Sequence, residues 1–379
     1  MPLPSIMAGT LDMDISDTSF PLVDIANKFT YIIGNNGVGK SRMLEFNAKY
    51  LSARHDVVVI CSGLTDKFRF GKSTRRDKQG SYTYLGARTV SNASHLTALS
   101  ANAVLHYVKS LTNGGSVVLL DFLKRLGFDP VLYIRPRATK HKSSTVAGFS
   151  ASVLDHEFVE KHSLIFDDPA KPFELAVGKD GGSLAFSGLS SGEQNIISTV
   201  LKITSQIREG VIFFLDEPEI SLHVEWQLAW PALIHDVILC ANNCRLVVAT
   251  HSPVLISSAI LEGGACFNME KNKALRVITK DDINVEALML KEFHTYTPKN
   301  KALFESFARI LGMAIDHVND RAYSKTDIRD EAARLSQHMR DVAATDASRL
   351  EVDHAAKEFE GAIAEILNRH SKASSSYEA

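Results

Sequence analysis

The sequence predicts an α/β fold organised around a phosphate-binding loop, and three observations carry that expectation. The octet Gly34-Asn35-Asn36-Gly37-Val38-Gly39-Lys40-Ser41 fits the pattern G-x-x-x-x-G-K-[ST]. Two later apolar runs, Val211 to Leu215 and Leu246 to Ala249, deliver polar residues at their carboxyl ends: Asp216-Glu217-Pro218-Glu219 and Thr250-His251. Ahead of these runs, Leu189-Ser190-Ser191-Gly192-Glu193-Gln194 leads into a helix-forming stretch. Each segment alone has an ordinary structural reading. Together, in this order and in suitable local structure, they point to one nucleotide site.

The octet comes first. Phe29-Thr30-Tyr31-Ile32-Ile33 is β-branched and aromatic and reads as a strand. Lys40 to Phe46 is helix-forming, with apolar residues at helical spacing. A glycine turn between strand and helix would explain the glycines alone. The full motif explains more. Gly34, Gly37 and Gly39 let the backbone N–H groups of the loop, including those of Asn35, Asn36 and Val38, turn inward as a phosphate cradle. Lys40 is expected at the β- and γ-phosphates of ATP, and the Ser41 hydroxyl at Mg²⁺.

Val211 to Leu215 looks buried on both faces. Its carboxyl end carries Asp216 and Glu217 to the edge where ligands bind in an open α/β sheet. Asp216 suits Mg²⁺, which takes hard oxygen ligands. Glu217 is then free to orient the attacking water. In the serine-rich segment, Ser190/Glu193 and Ser191/Gln194 both stand at capping-box spacing. A capped helix start is also an anion site, which makes Ser190, Gly192 and Glu193 candidates for a nucleotide held from a second side. His251 reads either as a loop histidine satisfied by backbone or as a contact to the γ-phosphate or the attacking water.

These residues resemble the ABC-type ATPases, within them the group that includes SMC, RecF and OLD proteins. Gly34 to Ser41 looks like the Walker A loop, Leu189 to Gln194 like the signature motif, and Asp216-Glu217 like Walker B with the catalytic glutamate. Ile220-Ser221-Leu222-His223 occupies the D-loop position, and His251 the switch-histidine position. The resemblance implies a P-loop NTPase head of the ABC type that hydrolyses ATP with Mg²⁺. It implies a homodimer with ATP sandwiched between heads, Ser190 of one subunit reaching the nucleotide held by Lys40 of the other. The family's glutamine sensor has no clear counterpart; Gln79, its only candidate between Ser41 and Gln194, sits in loop-like flanks.

Composition agrees. A chain of 379 residues holds about two to three domains' worth of material. A formal net charge of −2 argues against a generally basic nucleic-acid binder. No apolar run approaches the ~20 residues of a membrane helix, and the N-terminal segment has acids rather than a basic leader. Four cysteines fit a reduced, cytoplasmic protein.

The expected organisation is a head formed by residues 1–62 and 166–290, an inserted compact α/β lobe at 63–165, and a helical region at 291–379 ending in a disordered tail. The insert is too short for long coiled-coil arms and lacks sustained heptads. It is locally basic, with Lys67, Arg69, Lys72, Arg75, Arg76, Lys78 and Arg88, then Lys140, His141 and Lys142. Such a lobe either holds nucleic-acid phosphates or is a solvated loop. Its Asp66-Lys67-Phe68 and Tyr84-Leu85-Gly86-Ala87-Arg88 segments resemble parts of compact ATPases of anti-phage loci such as Septu and some retrons. An OLD protein would add a metal-binding nuclease with Asp-x-Asp; Asp281-Asp282 lacks that spacing. Arg349 and His354 match the short R-x-x-x-x-H pattern of HEPN ribonucleases, with Leu350 where a polar residue is usual.

The resulting expectation is a dimeric ATPase that regulates a partner effector from a neighbouring gene, a nuclease or toxin, in anti-phage defence. The alternatives are a RecF-like DNA-repair or chromosome-maintenance ATPase that binds DNA directly, and a transporter ATPase subunit.

Overall fold

The computed structural model describes residues 20–63, 68, 72–74, 80–86, 96–137, 151–168, 171–280, 284–291, 301–320, 323–342 and 346–375. Most of the basic cluster (Lys67, Arg69, Arg75, Arg76, Lys78, Arg88, Lys140, His141, Lys142), together with Gln79 and Asp281-Asp282, lies outside the described residues.

Strand β1 (Phe29–Ile33) leads to helix α1 (Lys40–Leu51), strand β2 (Asp56–Cys61) and the short strands β3 (Lys72–Thr74) and β4 (Ser81–Tyr84). Helices α2 (Leu96–Thr112) and α3 (Gly115–Arg125) precede strands β5 (Asp129–Pro136) and β6 (Ser152–Val153) and helix α4 (His156–Lys161). Strands β7 (Phe173–Lys179) and β8 (Gly182–Ala185) then feed helix α5 (Ser191–Thr204), strand β9 (Ile212–Asp216) and helix α6 (Val224–Leu239). Strand β10 (Arg245–Ala249), helix α7 (Pro253–Leu261), strands β11 (Ala265–Met269) and β12 (Leu275–Val277) and helix α8 (Val285–Lys291) follow. Three longer helices end the chain: α9 (Lys301–Asp320), α10 (Lys325–Val342) and α11 (Asp346–Ser375).

The main sheet has eight strands in the order β12-β11-β1-β10-β9-β2-β4-β3. Its interior pairs are parallel, and only the edge strands β12 and β3 run antiparallel. A parallel sheet covered on both faces needs strands that are apolar throughout. Ile212–Asp216 is buried at every position, and Asp56–Cys61 at all but the first. Helix α1 packs on one face, with Phe20, Met43 and Leu44 in the cluster that includes Val57, Val59 and Phe214. On the other face Tyr31, Val58, Phe213 and Val248 join Ile197, Trp230 and Leu255 of α5, α6 and α7.

A second, antiparallel sheet has the order β6-β5-β7-β8. Strands within the expected lobe at 63–165 contribute to both sheets. Strands β3 and β4, inside residues 63–165, extend the main sheet. Strand β5, also inside that range, pairs with β7 from beyond it on one side and with β6 on the other. Backbone hydrogen bonding therefore ties the segment to its flanks at both ends, through β4 on β2 and β5 on β7. Apolar side chains of α2, α3, β5 and β7 merge into the same core as α5.

The last three helices share a separate apolar cluster, including Leu303, Phe307 and Ile310 of α9, Ile328 and Met339 of α10, and Val352, Phe359 and Ile363 of α11. Phe307 stacks on Phe359 at 4.2 Å between ring centroids. Helix α11 continues to Ser375, into the tail expected to be disordered. No glycine or proline falls in its last turns, so nothing in the sequence stops it. His354 on α11 is exposed and faces Glu358 at 3.6 Å. Five residues separate it from Arg349, which places the two on different sides of one helix.

One buried polar pair sits in the head's core. The Tyr31 hydroxyl and His235 Nε2 are 2.7 Å apart, and the imidazole stacks on Phe29 at 3.6 Å. Burial lowers the His235 pKa to about 4, whereas an unfolded histidine titrates near ~6.5. The unfolded chain thus binds more protons between those values, so stability is full above about 6.5 and is lost as pH falls toward 4. Between pH 7 and 5 His235 is expected to remove roughly 2 kcal/mol. Urea unfolding of wild type and His235→Gln at both pH values measures this: the glutamine variant should show the smaller loss, and equal losses would exclude His235 as the source.

Candidate functional site

Three loops meet because β1, β10 and β9 lie side by side. The register aligns Ile32 with Ala249 and Ala249 with Asp216. All three strands therefore end at one level, and the loops carrying Lys40, His251 and Glu217 open at the same edge. The loop bonds continue the ladder: Thr250 N donates to Ile32 O at 3.0 Å, and Glu217 N to Ala249 O at 2.9 Å.

The glycine loop is built as its sequence requires. Gly37 and Gly39 have φ of +82° and +107°, conformations that side chains resist. Gly39 is the N-cap of α1. Asn36 to Arg42 line a cleft of about 500 Å³ with Glu217 and His251. Gly34 faces away from it: a Cβ there would lie 2.8 Å from Met269 O of β11.

Lys40 is buried. Its ammonium donates to Gly34 O at 2.6 Å and lies 3.1 Å from His251 Nδ1. Burial lowers its pKa to about 8 against the opposing pull of Glu217, Asp216 and Glu219. The ammonium can only donate, so His251 Nδ1 accepts and its ring proton sits on Nε2. That nitrogen stands 3.0 Å from Glu217 Oε1. The His251 hydrogen bond holds the Glu217 carboxyl below its ordinary range. Lys40, His251 and Glu217 form one chain of charge-assisted bonds across the cleft.

Asp216 lies deeper. Burial pushes its pKa up to about 7, against the opposing effect of the hydrogen bond from Ser41. Its Oδ1 is buried without a hydrogen-bond partner. A hydroxyl beside a buried carboxylate oxygen with a free lone pair is a hard-oxygen donor set, and Ser41 with Asp216 therefore fits a magnesium ion.

Sequence reasoning missed several residues around this cleft. Phe20 lies in a segment without a motif, yet its ring lines the cleft with Arg42 and Lys273. The Lys273 ammonium stands 4.4 Å over that ring. Only the fold brings these positions together, so no local signal marks them.

The serine-rich segment is elsewhere. Ser190 caps α5 in a complete capping box: Glu193 N donates to Ser190 Oγ at 3.3 Å, and Ser190 N to Glu193 Oε2 at 2.7 Å. The alternative spacing is not used, since Gln194 Nε2 donates to Leu189 O at 2.8 Å. Ser190, Gly192 and Glu193 do not line the cleft that holds Lys40. The start of α5 packs instead on the loop after β9. Asn195 Nδ2 donates to Pro218 O at 3.0 Å and to Ile220 O at 2.6 Å, while Ser62 Oγ donates to Asn195 Oδ1 at 3.1 Å. At Gly192 a Cβ would come within 2.7 Å of Ser221 O.

Comparison with known proteins agrees with this geometry. Residues 74–257 match the family described as "AAA domain, putative AbiEii toxin, Type IV TA system". The match includes the serine-rich segment, Asp216-Glu217 and His251, and begins after the glycine loop. The search of curated proteins returns no match. Among solved structures, one similar chain comes from an inward-facing metal-chelate type ABC transporter, at 13% identity and a TM-score of 0.32, covering 71% of this chain and 80% of that one. A likeness that loose supports no inference about function or assembly.

The contact at Gly192 gives a direct test. Gly192→Ala forces either α5 or the Ser221 backbone to move, at a cost of roughly 1–3 kcal/mol. Thermal unfolding of this variant should fall below wild type, and an unchanged midpoint would show that the two elements are not so closely packed. Glycine loop, buried lysine, acidic strand end and the similarity of residues 74–257 to an AAA domain converge on an α/β fold of the P-loop NTPase kind.

Proposed function

We propose that this protein binds ATP in the cleft above β1, β10 and β9 and hydrolyses it to ADP and phosphate. The observation that carries the reading is the chain Lys40–His251–Glu217, which spans the cleft opposite the glycine loop. Backbone N–H groups from Asn35 to Ser41 would hold the phosphates, with Lys40 exchanging its Gly34 bond for the β- and γ-phosphate oxygens. Ser41 and Asp216 would hold magnesium, which supplies neutralisation of phosphate charge. Glu217, kept ionised by His251, accepts a hydrogen bond from the attacking water and aligns it with the γ-phosphorus. Water's oxygen bonds to that phosphorus as the bond to the β–γ bridging oxygen breaks, and ADP carries away the electron pair. His251 Nε2, already turned toward Glu217, holds the carboxylate in place.

The site is one-sided within a single chain. Ser190 at the start of α5 is exposed and capped, and Ser190, Gly192 and Glu193 do not line the cleft that holds Lys40. This supports a homodimer in which Ser190, Gly192 and Glu193 of one head close on the nucleotide of the other. We further propose that this is a cytoplasmic ATPase that controls a partner effector, a nuclease or toxin, in anti-phage defence; the matched family's description, which names a toxin and a Type IV TA system, supports the link to a toxin system.

Two variants divide binding from chemistry. Lys40→Ala should lose ATP binding, read with a fluorescent ATP analogue, because it removes the charge facing the phosphates. Glu217→Gln should bind that analogue like wild type and hydrolyse ATP at least 10²-fold more slowly. Binding by the first variant, or undiminished turnover by the second, would refute the assignment concerned.

The dimer is tested separately. Turnover per subunit should rise with protein concentration in a dilution series. Ser190→Arg should suppress turnover by placing bulk and charge at the shared γ-phosphate, while leaving ATP binding at Lys40 intact. Wild-type turnover from that variant would mean that the segment only caps a helix.

A further inference from the structure

Three residues after β9, the chain carries a second glutamate, Glu219, that the hydrolytic reading does not use. Glu217 and Ser221 both adopt positive φ, +50° and +65°, without being glycine. Such backbone is costly and persists only where the surroundings hold it. The turn is held from two sides. Asn195 donates to Pro218 O and Ile220 O. On the opposite side Glu219 turns back toward the loop after β10, where its Oε1 accepts from His251 N at 2.6 Å. The Thr250 hydroxyl also bonds to this carboxylate. Glu219 Oε2, in contrast, is buried with no hydrogen-bond partner. A carboxylate in such a place is expensive for the fold, and the carboxyl pKa is raised by burial. Stability alone gives no reason for it. What it does achieve is geometric: one bond ties the backbone of His251 to the strained turn that presents Glu217.

We propose that Glu219 is a positioning residue for hydrolysis, fixing His251 and Glu217 as one unit by accepting the His251 N–H. Glu217 and His251 meet through a single 3.0 Å contact between side chains that are each about a third exposed. The ladder bond from Glu217 N to Ala249 O holds the roots of the two loops together. Beyond it, the buried bond from His251 N to Glu219 Oε1 fixes where His251 stands relative to the turn. Without that bond His251 loses its backbone anchor to the turn, and the water-orienting carboxylate loses its support. In the phosphate cradle Lys40 loses a neighbour in His251 but keeps its bond to Gly34 O, and the loop N–H groups are unaffected. The inference rests on the hydrolytic reading and deepens it.

The test uses the full chain and five proteins: wild type, Glu219→Ala, Glu219→Gln, His251→Ala and the double variant Glu219→Ala/His251→Ala. Glutamine keeps the Oε1 acceptor and alanine removes it. Glu219→Ala should lower kcat 10- to 100-fold, the scale of a small misplacement at a reacting centre, while its affinity for a fluorescent ATP analogue stays within about twofold of wild type. Glu219→Gln should recover turnover to within about threefold of wild type. In the His251→Ala background, Glu219→Ala should cost nothing further, since the group through which it acts has gone. If Glu219→Ala does not fold, Glu219→Asp, which retracts the acceptor by one methylene, takes its place with the same expected losses. Wild-type kcat in the alanine variant, failure of glutamine to rescue, or a further tenfold loss in the His251→Ala background would overturn the inference while leaving the hydrolytic reading intact. Absence of turnover in wild type would overturn both.

Discussion

The site depends on the lateral order β1-β10-β9 and on a register that ends the three strands at one level. A shift of one residue in β10 would turn its side chains to opposite faces of the sheet. His251 would then leave Lys40 and Glu217. The register is fixed by burial on both faces, because every interior strand is packed against apolar side chains from α1 on one side and α5, α6 and α7 on the other. The same apolar continuity that makes the sheet stable also aligns the loops.

That alignment concentrates charge where the fold is least able to solvate it. Lys40 is pulled down by burial and Asp216 pushed up by it. Three carboxylates within four residues face one lysine and one histidine. In such a setting each charge needs a partner, and the molecule distributes them unevenly. Glu217 has His251, Asp216 has Ser41 on one side only, and Glu219 has the backbone of His251. The open lone pair on Asp216 is what a divalent cation would fill. The cost is met by the surrounding core, as it commonly is at functional sites.

The loop after β9 links two regions that are far apart in sequence. From one side the start of α5 grips it through Asn195 and the close approach at Gly192. From the other, Glu219 and the ladder bond to Ala249 join it to the His251 loop. A displacement of α5 therefore reaches Glu217 through direct contacts.

The sequence by itself determined the local chemistry. The spacing of Gly34 to Ser41, the polar ends of two apolar strands and the capping pattern at Ser190 each depend on near neighbours in the chain, so backbone and side-chain rules read them directly. It also marked residues 291–379 as helical, the range in which α9, α10 and α11 fall. Tertiary structure alone decided what crosses long separations. The pairing of β4 with β2 and of β5 with β7 joined the expected insert to the head, since strand partners are chosen by burial rather than by adjacency. Phe20 and Lys273 came to the cleft, and Glu219 to His251, because the sheet's order brought their loops together. No pattern of neighbouring residues encodes a contact of that kind.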